Sequence, residues 1–313
     1  MPGRRLAQAT RAQAREAHER WRPTWGAGLS SADLDAQEAA LSSHSFGVAH
    51  RRVLVLLEGA SFSSSCEVLT IPVGDSFLWH IACVWTPLEQ RKRGAASALI
   101  QAVIESARSL DAAAIVLWSD IDPSFYERLG FSIVTTDLND VSLPALRSTA
   151  VQPELLVDIA TDADLTFVVT EDECSPLDSD CPKLTPSRLD WAVAPERIKV
   201  ARGLQTPLIA RGARLAGGVV VWCVDVNELA ILLLRAPTLA VAQALLMRAR
   251  DVAAVAGLAC VRLWEGARTL AGDSINEWVA AQGGVEPRKG RIPMSLGLKK
   301  KLNLCGMDRA LWY

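Results

Sequence analysis

Between Ile81 and Ser97 the chain reads IACVWTPLEQRKRGAAS, and these seventeen residues gather its densest chemistry. Arg91, Lys92 and Arg93 place three cations in a row, Gly94 follows, and Ala95, Ala96 and Ser97 begin an alanine-rich run. Ala98, Leu99, Ala102, Val103 and Ala107 then recur at helical spacing. A strand feeding a basic glycine turn that opens a helix makes an anion site. The first amides of a helix lack intrahelical acceptors, point one way, and carry the positive end of the dipole. A pyrophosphate suits such a turn. Gly94 allows close approach of the backbone, and the alanines keep side chains out of the way. The competing reading is a solvated basic turn before an ordinary surface helix. Neither the dinucleotide fingerprint G-x-G-x-x-G nor the P-loop G-x-x-x-x-G-K-[ST] is present.

A second cluster of reactive types lies in Asp120–Phe131. Tyr126, one of only two tyrosines, falls on a short helix that Asp122-Pro123 starts and Gly130 ends. A phenol held near a departing thiolate can protonate it, and the alternative is a packing aromatic. Glu67, His80 and Asp120 are candidates to accept a proton, although each alone reads equally as a surface, capping or core group. No nucleophile elbow G-x-S-x-G occurs.

These groups need a frame to position them. A chain of 313 residues, 50 % hydrophobic and 22 % charged, supplies the cores of two domains, expected at 1–150 and 151–313. The formal net charge of −2 gives no electrostatic reason to bind nucleic acid or an anionic membrane. Apolar runs such as Leu229–Leu234 fall far short of the roughly 20 residues that span a bilayer. The opening MPGRRLAQAT lacks an apolar signal region, so a cytoplasmic location is expected. Seven cysteines without a C-x-x-C pair read as reduced thiols. His18, His44, His50 and His80 lack the spacing of a helical metal pair, so no metal is expected.

Along the chain, a strand near Arg4–Ala9 precedes a helix from Thr10 to Trp21, broken by Pro23 and Gly26–Gly28. Ser30 or Ser31 caps a second helix to Leu41. Strands at Val53–Glu58, Cys66–Ile71 and Leu78–Trp85 form an antiparallel meander, with Ser61–Ser65 as the loop entering its second strand. The helix from Ala95 to Leu110 leads to a buried strand, Ala114–Trp118, and Phe131–Thr136 follows as another. In the second half, residues 171–186 read as loop. Strands fall at Pro207–Arg211, Gly218–Val224, Glu228–Leu234 and Cys260–Trp264, with helices at Thr238–Ala256 and Ser274–Gln282. The order strand, strand, helix, strand, helix repeats that of the first half, through either degenerate duplication or coincidence. Ten tryptophans, mostly on strands, read as core, with an aromatic substrate cage as the alternative.

Arg91-x-x-Gly94-x-Ala96 resembles the coenzyme A pyrophosphate motif of the GNAT N-acetyltransferases. Phe125-Tyr126-Glu127-Arg128-Leu129-Gly130-Phe131 resembles that family's Y-x-x-x-G-F signature. The resemblance covers about residues 4–136. It implies an α/β (α+β) GNAT fold with a mixed, mostly antiparallel sheet; the second α/β domain is a degenerate GNAT-like copy if the repeated element order reflects duplication. It also implies acetyl-CoA as co-substrate, with Val84 and Trp85 on a splayed strand holding the pantetheine arm. Arg91, Lys92, Arg93, Gly94, Ala95, Ala96 and Ser97 would hold the diphosphate, and Tyr126 would be the general acid. The activity implied is N-acetyl transfer to a small-molecule amine, with a non-catalytic acetyl-CoA sensor or a protein acetyltransferase as alternatives. Ser64-Ser65-Cys66-Glu67, Val84-x-Thr86-Pro87 and Ser119-Asp120-Ile121-x-Pro123 resemble the fungal lysine N6-acetyltransferase type, which implies the ε-amine of lysine as acceptor. In the second half Arg235-Ala-Pro stands where the anion motif would be, so no coenzyme A is expected there.

Overall fold

The computed structural model describes residues 4–25, 29–134, 139–147, 155–160, 185–225, 227–263, 274–282, 284–287 and 291–299. The chain divides into two compact units, Met1–Thr136 with Lys289–Leu304, and Asp137–Arg288 with Cys305–Tyr313.

The first unit has strands β1 (Arg4–Gln8), β2 (Arg51–Glu58), β3 (Ser61–Val73), β4 (Ser76–Trp85), β5 (Ala114–Ser119), β6 (Ser132–Ile133) and the last strand, β14 (Ile292–Gly297). Their order in the sheet is β1-β2-β3-β4-β5-β14-β6. β1 to β4 form an antiparallel meander. Its turns are tight because Gly59 and Gly74 take φ of +64° and +55°, which cost a glycine little. The helices are α1 (Arg11–Trp25), α2 (Ser31–Ser43), α3 (Ser45–His50), α4 (Ala95–Ser109) and α5 (Ser124–Glu127). α4 crosses over between β4 and β5, which makes that pair parallel. Its stripe of Leu99, Ile100, Val103, Ile104 and Ala107 is buried against Leu56, Val68, Ile81, Ile115 and Leu117 of the sheet.

The second unit holds β7 (Asn139–Pro144), β8 (Val157–Ile159), β9 (Gly212–Leu215), β10 (Gly218–Asp225), β11 (Glu228–Arg235), β12 (Cys260–Leu263) and β13 (Val285–Pro287). They are ordered β13-β7-β12-β11-β10-β9-β8. Its helices are α6 (Pro186–Ala201), α7 (Leu239–Val255) and α8 (Ser274–Ala281). β10 and β11 form a hairpin, and α7 carries the chain across to β12, which is parallel to β11. Hairpin, crossover helix and parallel strand follow the same path in both units.

The differences from the sequence reading have local causes. The expected division at 150 moves because β7 pairs with β12, while β14 returns to β5 and β6. Ser61–Ser65 is strand rather than loop, since the hydroxyls of Ser63 and Ser64 bond to the carbonyls of Leu56 and Trp85. α1 runs through Pro23 to Trp25. Only Ser132–Ile133 of the expected strand at Phe131–Thr136 forms, and its end lies outside the described residues. Pro207–Arg211 is irregular, and the strand begins at Gly212. α6 was signalled by Thr185-Pro186, a cap followed by proline at the first helical position; the Thr185 hydroxyl accepts from the Arg188 amide. The expected loop falls outside the described residues up to 184. Among the described residues no helix is long and apolar enough to cross a membrane.

Candidate functional site

The parallel pairing of β4 with β5 runs from Leu78–Ala114 to Ile81–Leu117, and β4 continues without it to Trp85. On its other side, β4 places Cys83 and Val84 opposite the single residue Cys66, between the pairs Glu67–Ala82 and Ser65–Trp85. This is a β-bulge, and Cys83 has φ of +50°. A bulge bends its strand, and beyond Ile81 the β5-facing edge of β4 has no strand pairing, while the Trp85 carbonyl accepts from the Ser64 hydroxyl at 2.9 Å. A free amide there can donate to a carbonyl, and a free carbonyl can accept from an amide.

The turn beyond β4 is fastened at both ends. The Arg91 amide donates to the Leu88 carbonyl at 3.2 Å, and Arg91 Nε donates to the Thr86 carbonyl at 3.1 Å. Arg4 Nη2 on β1 donates to the Arg93 carbonyl at 3.2 Å. In a trans peptide the carbonyl and the following amide point oppositely, so Arg4 turns the Gly94 amide away from itself. Lys92 and Gly94 take φ of +60° and +76°, and Gly94 is the helix N-cap with no side-chain cap bond. Arg91, Lys92, Arg93 and Gly94 are exposed, while Ala95 is buried under the helix. The helix-start amides therefore have no side-chain cap and stand beside three exposed cations.

Tyr126 lies on α5, 6 % exposed, with its ring against Phe125 and Phe131 at 4.8 and 5.8 Å. α5 is started by the Asp122 carboxylate, which accepts from the Ser124 amide at 2.8 Å, and the turn closes at Gly130, where φ is +95°. Burial raises the Tyr126 phenol above its usual range, and Cys66 and Asp120 raise it further. The phenol thus stays protonated at neutral pH. Tyr126 shares a buried cluster with Cys66, the residue facing the β4 bulge.

Glu67 is buried in a different setting. Burial alone would raise its carboxyl, but the Arg51 guanidinium, assisted by His18, holds it down to about 2. Arg51 bonds to Glu67 and also to Glu38 at 2.7 Å. His18 sits between the two carboxylates, with Nδ1 3.4 Å from Glu38 and Nε2 3.6 Å from Glu67. The donor atoms of His18, Glu38 and Glu67 lie within 4.8 Å, a metal-like spacing, but Arg51 already bridges the carboxylates. His80 is 2 % exposed and edge-on to Trp118 at 5.0 Å. Asp120 is exposed at the end of β5. The structure thus separates the three proton-acceptor candidates into an ion cluster, a buried ring and a surface group. The sequence reading missed Arg4, Arg51 and Glu38. Their partners stand 13 to 89 positions away, beyond any local pattern.

Residues 14–131 match the acetyltransferase (GNAT) family. The sequence matches none of the curated proteins with which it was compared. Several solved structures share its fold across both units. A conserved protein of unknown function from Enterococcus faecalis V583 superposes with a TM-score of 0.61 at 12 % identity, over 95 % of this chain and 73 % of that one. A GCN5-related N-acetyltransferase from Kribbella flavida gives 0.58 at 19 %, over 95 % and 71 %. A tandem GNAT protein from the clavulanic acid biosynthesis pathway gives 0.54 at 13 %, over 96 % of this chain and all of that one. The expected GNAT fold is therefore present, with a second unit of GNAT-like form.

Proposed function

We propose that this chain is an N-acetyltransferase that moves the acetyl group of acetyl-CoA directly to a primary amine. The observation that carries the reading is the open cradle at Arg91–Ser97 behind a bulged, splayed β4. The amides of Lys92 to Ser97 and the three cations hold the diphosphate. The β5-facing backbone of Val84 and Trp85 aligns the pantetheine arm and polarises the thioester carbonyl. The amine attacks that carbonyl, and Tyr126, held protonated, supplies the proton for the thiolate. Holding both reactants at one strand end replaces a bimolecular encounter by a positioned one. The cofactor belongs to the first unit. In the second, the corresponding turn is Arg235-Ala236-Pro237-Thr238, and the Thr238 hydroxyl takes the Val241 amide for itself.

The acceptor read from the sequence strings is the ε-amine of free lysine, and a small-molecule amine is the partner the proposal requires. Thioester consumption with a panel of primary amines, lysine included, tests it. Turnover with at least one amine is expected. Tyr126→Phe should lower kcat by about 10²- to 10⁴-fold with acetyl-CoA binding unchanged. Tight carrier binding with equal, negligible turnover of every amine would replace the enzyme by a sensor.

A further inference from the structure

The ion cluster on the α1 side of the sheet is charged more heavily than packing needs. Four ionisable groups from four elements meet there: His18 of α1, Glu38 of α2, Arg51 of β2 and Glu67 of β3. The side chains of His18, Arg51 and Glu67 are only 10 %, 6 % and 10 % exposed. Burying charge costs several kcal/mol per ion unless each is paired and hydrogen-bonded. Glu67 accepts a hydrogen bond from Arg51. Arg51 Nε and Glu38 Oε2 are buried without a hydrogen-bond partner among the described residues, and so is His18 Nε2. It stops 3.6 Å from the Glu67 carboxylate, just beyond bonding distance. Apart from the imidazole, two carboxylates face one guanidinium, which leaves one negative charge. A group carrying one positive charge and spare N–H donors would complete the set.

The cluster adjoins the strand end already assigned to the thioester. Glu67 pairs with Ala82, next to the bulge residue Cys83 and two positions before Val84. The Cys83 thiol is raised by burial, and Glu67 and Glu38 raise it further while Arg51 opposes them. We infer that His18 is the group that takes the proton from the acceptor's ammonium, with Glu38 and Glu67 holding that ammonium and the imidazole in place. The inference rests on the acetyl-transfer reading and specifies its acceptor as a primary ammonium. His18 Nε2 removes one proton, and the freed lone pair forms the C–N bond as the thioester carbonyl goes tetrahedral. The C–S bond then breaks, Tyr126 gives its proton to sulfur, and the nitrogen's surplus proton restores the phenol. His18 returns its proton to solvent. The other charged groups nearest His18 on its own helix, Arg15 and Arg22, are tied to Asp35 and Glu19. Glu38 and Glu67, both paired with Arg51, are therefore the charged groups that face its ring.

The test is the pH dependence of kcat/KM for the amine in wild type and His18→Gln, beside calorimetry with acetyl-CoA. The expected result is a loss of about 10²- to 10³-fold near pH 7. It should shrink toward pH 10, where the amine is already free, and it should recover in part with added imidazole. Carrier affinity should not change. An unaltered profile and rate in His18→Gln overturns this inference alone, whereas a wild type that binds the carrier and acetylates no amine overturns the acetyl-transfer reading with it. Should His18→Gln fail to fold, the ring nitrogens of His18 in ¹⁵N-labelled wild type are read instead. A saturating amine substrate must shift Nε2, and no shift overturns the inference.

Discussion

The two crossovers, β4 to α4 in the first unit and β11 to α7 in the second, trace one path with opposite polar chemistry. The first reaches its helix through a glycine in the left-handed region, with no side chain on the opening amides. The second reaches it through Thr238 at φ of −146°, whose hydroxyl satisfies the Val241 amide. One turn is open and cationic, the other short and self-capped. The same contrast separates the buried carboxylates. Glu196 on α6 pairs with Arg211 and also accepts the Val224 amide at 3.1 Å, closing an edge of β10. The ion cluster around Glu67 leaves an imidazole nitrogen unmet. Topology alone therefore does not make a binding site. A site arises where the fold leaves polar groups unsatisfied and exposed to a ligand.

Gly94→Val should break the contrast most. Space is not the obstacle, because the nearest atom to a Cβ at this position is Arg4 Nη1 at 4.0 Å. The obstacle is φ of +76°, which costs an L-residue roughly 1–2 kcal/mol. The turn would relax toward negative φ and swing its amides off the diphosphate. Acetyl-CoA affinity, measured by calorimetry, should fall about 5- to 30-fold. An unchanged affinity would mean that the left-handed glycine does not shape the cradle.

What could be read from the sequence divides along the same line. The open turn was legible because its signal is local: strand, cations, glycine and helix lie within seventeen consecutive residues. α5 was legible through Asp122-Pro123 and Gly130 for the same reason. Glu67 stood out as a charge amid apolar neighbours, but its pairing with Arg51 bridges two strands and its contact with His18 bridges sheet and helix. Only the register of β2 on β3 and the packing of α1 bring those groups together. β14 carries no mark that it completes the first sheet, since any short apolar run can pair with β5. The strand at Ser61–Ser65 was hidden because serine favours turns, and here its hydroxyls are satisfied by strand carbonyls instead.

A smaller effect tests the self-capped turn. Thr238→Ala removes the hydroxyl that accepts the Val241 amide and should lower stability by about 1 kcal/mol, read from denaturant unfolding. Acetyl-CoA affinity should stay where it was. A drop in affinity would show that the second crossover also contributes to carrier binding and would end the division of labour between the units.

Lys92→Gln should give the smallest change and the most discriminating one. Lys92 already holds φ of +60° as an ordinary residue, so glutamine inherits the backbone and only the charge is lost. A cation beside an exposed phosphate contributes about 0.3–1 kcal/mol at low ionic strength, a two- to fivefold loss of affinity. That contribution is screened beyond about 10 Å at 0.1 M salt. The gap between wild type and variant should therefore narrow as salt rises. The penalty of Gly94→Val, being conformational, should persist across the same series. If salt erased both, the cradle would be acting through its charge alone, and the geometric difference between the two crossovers would have no bearing on what each can bind.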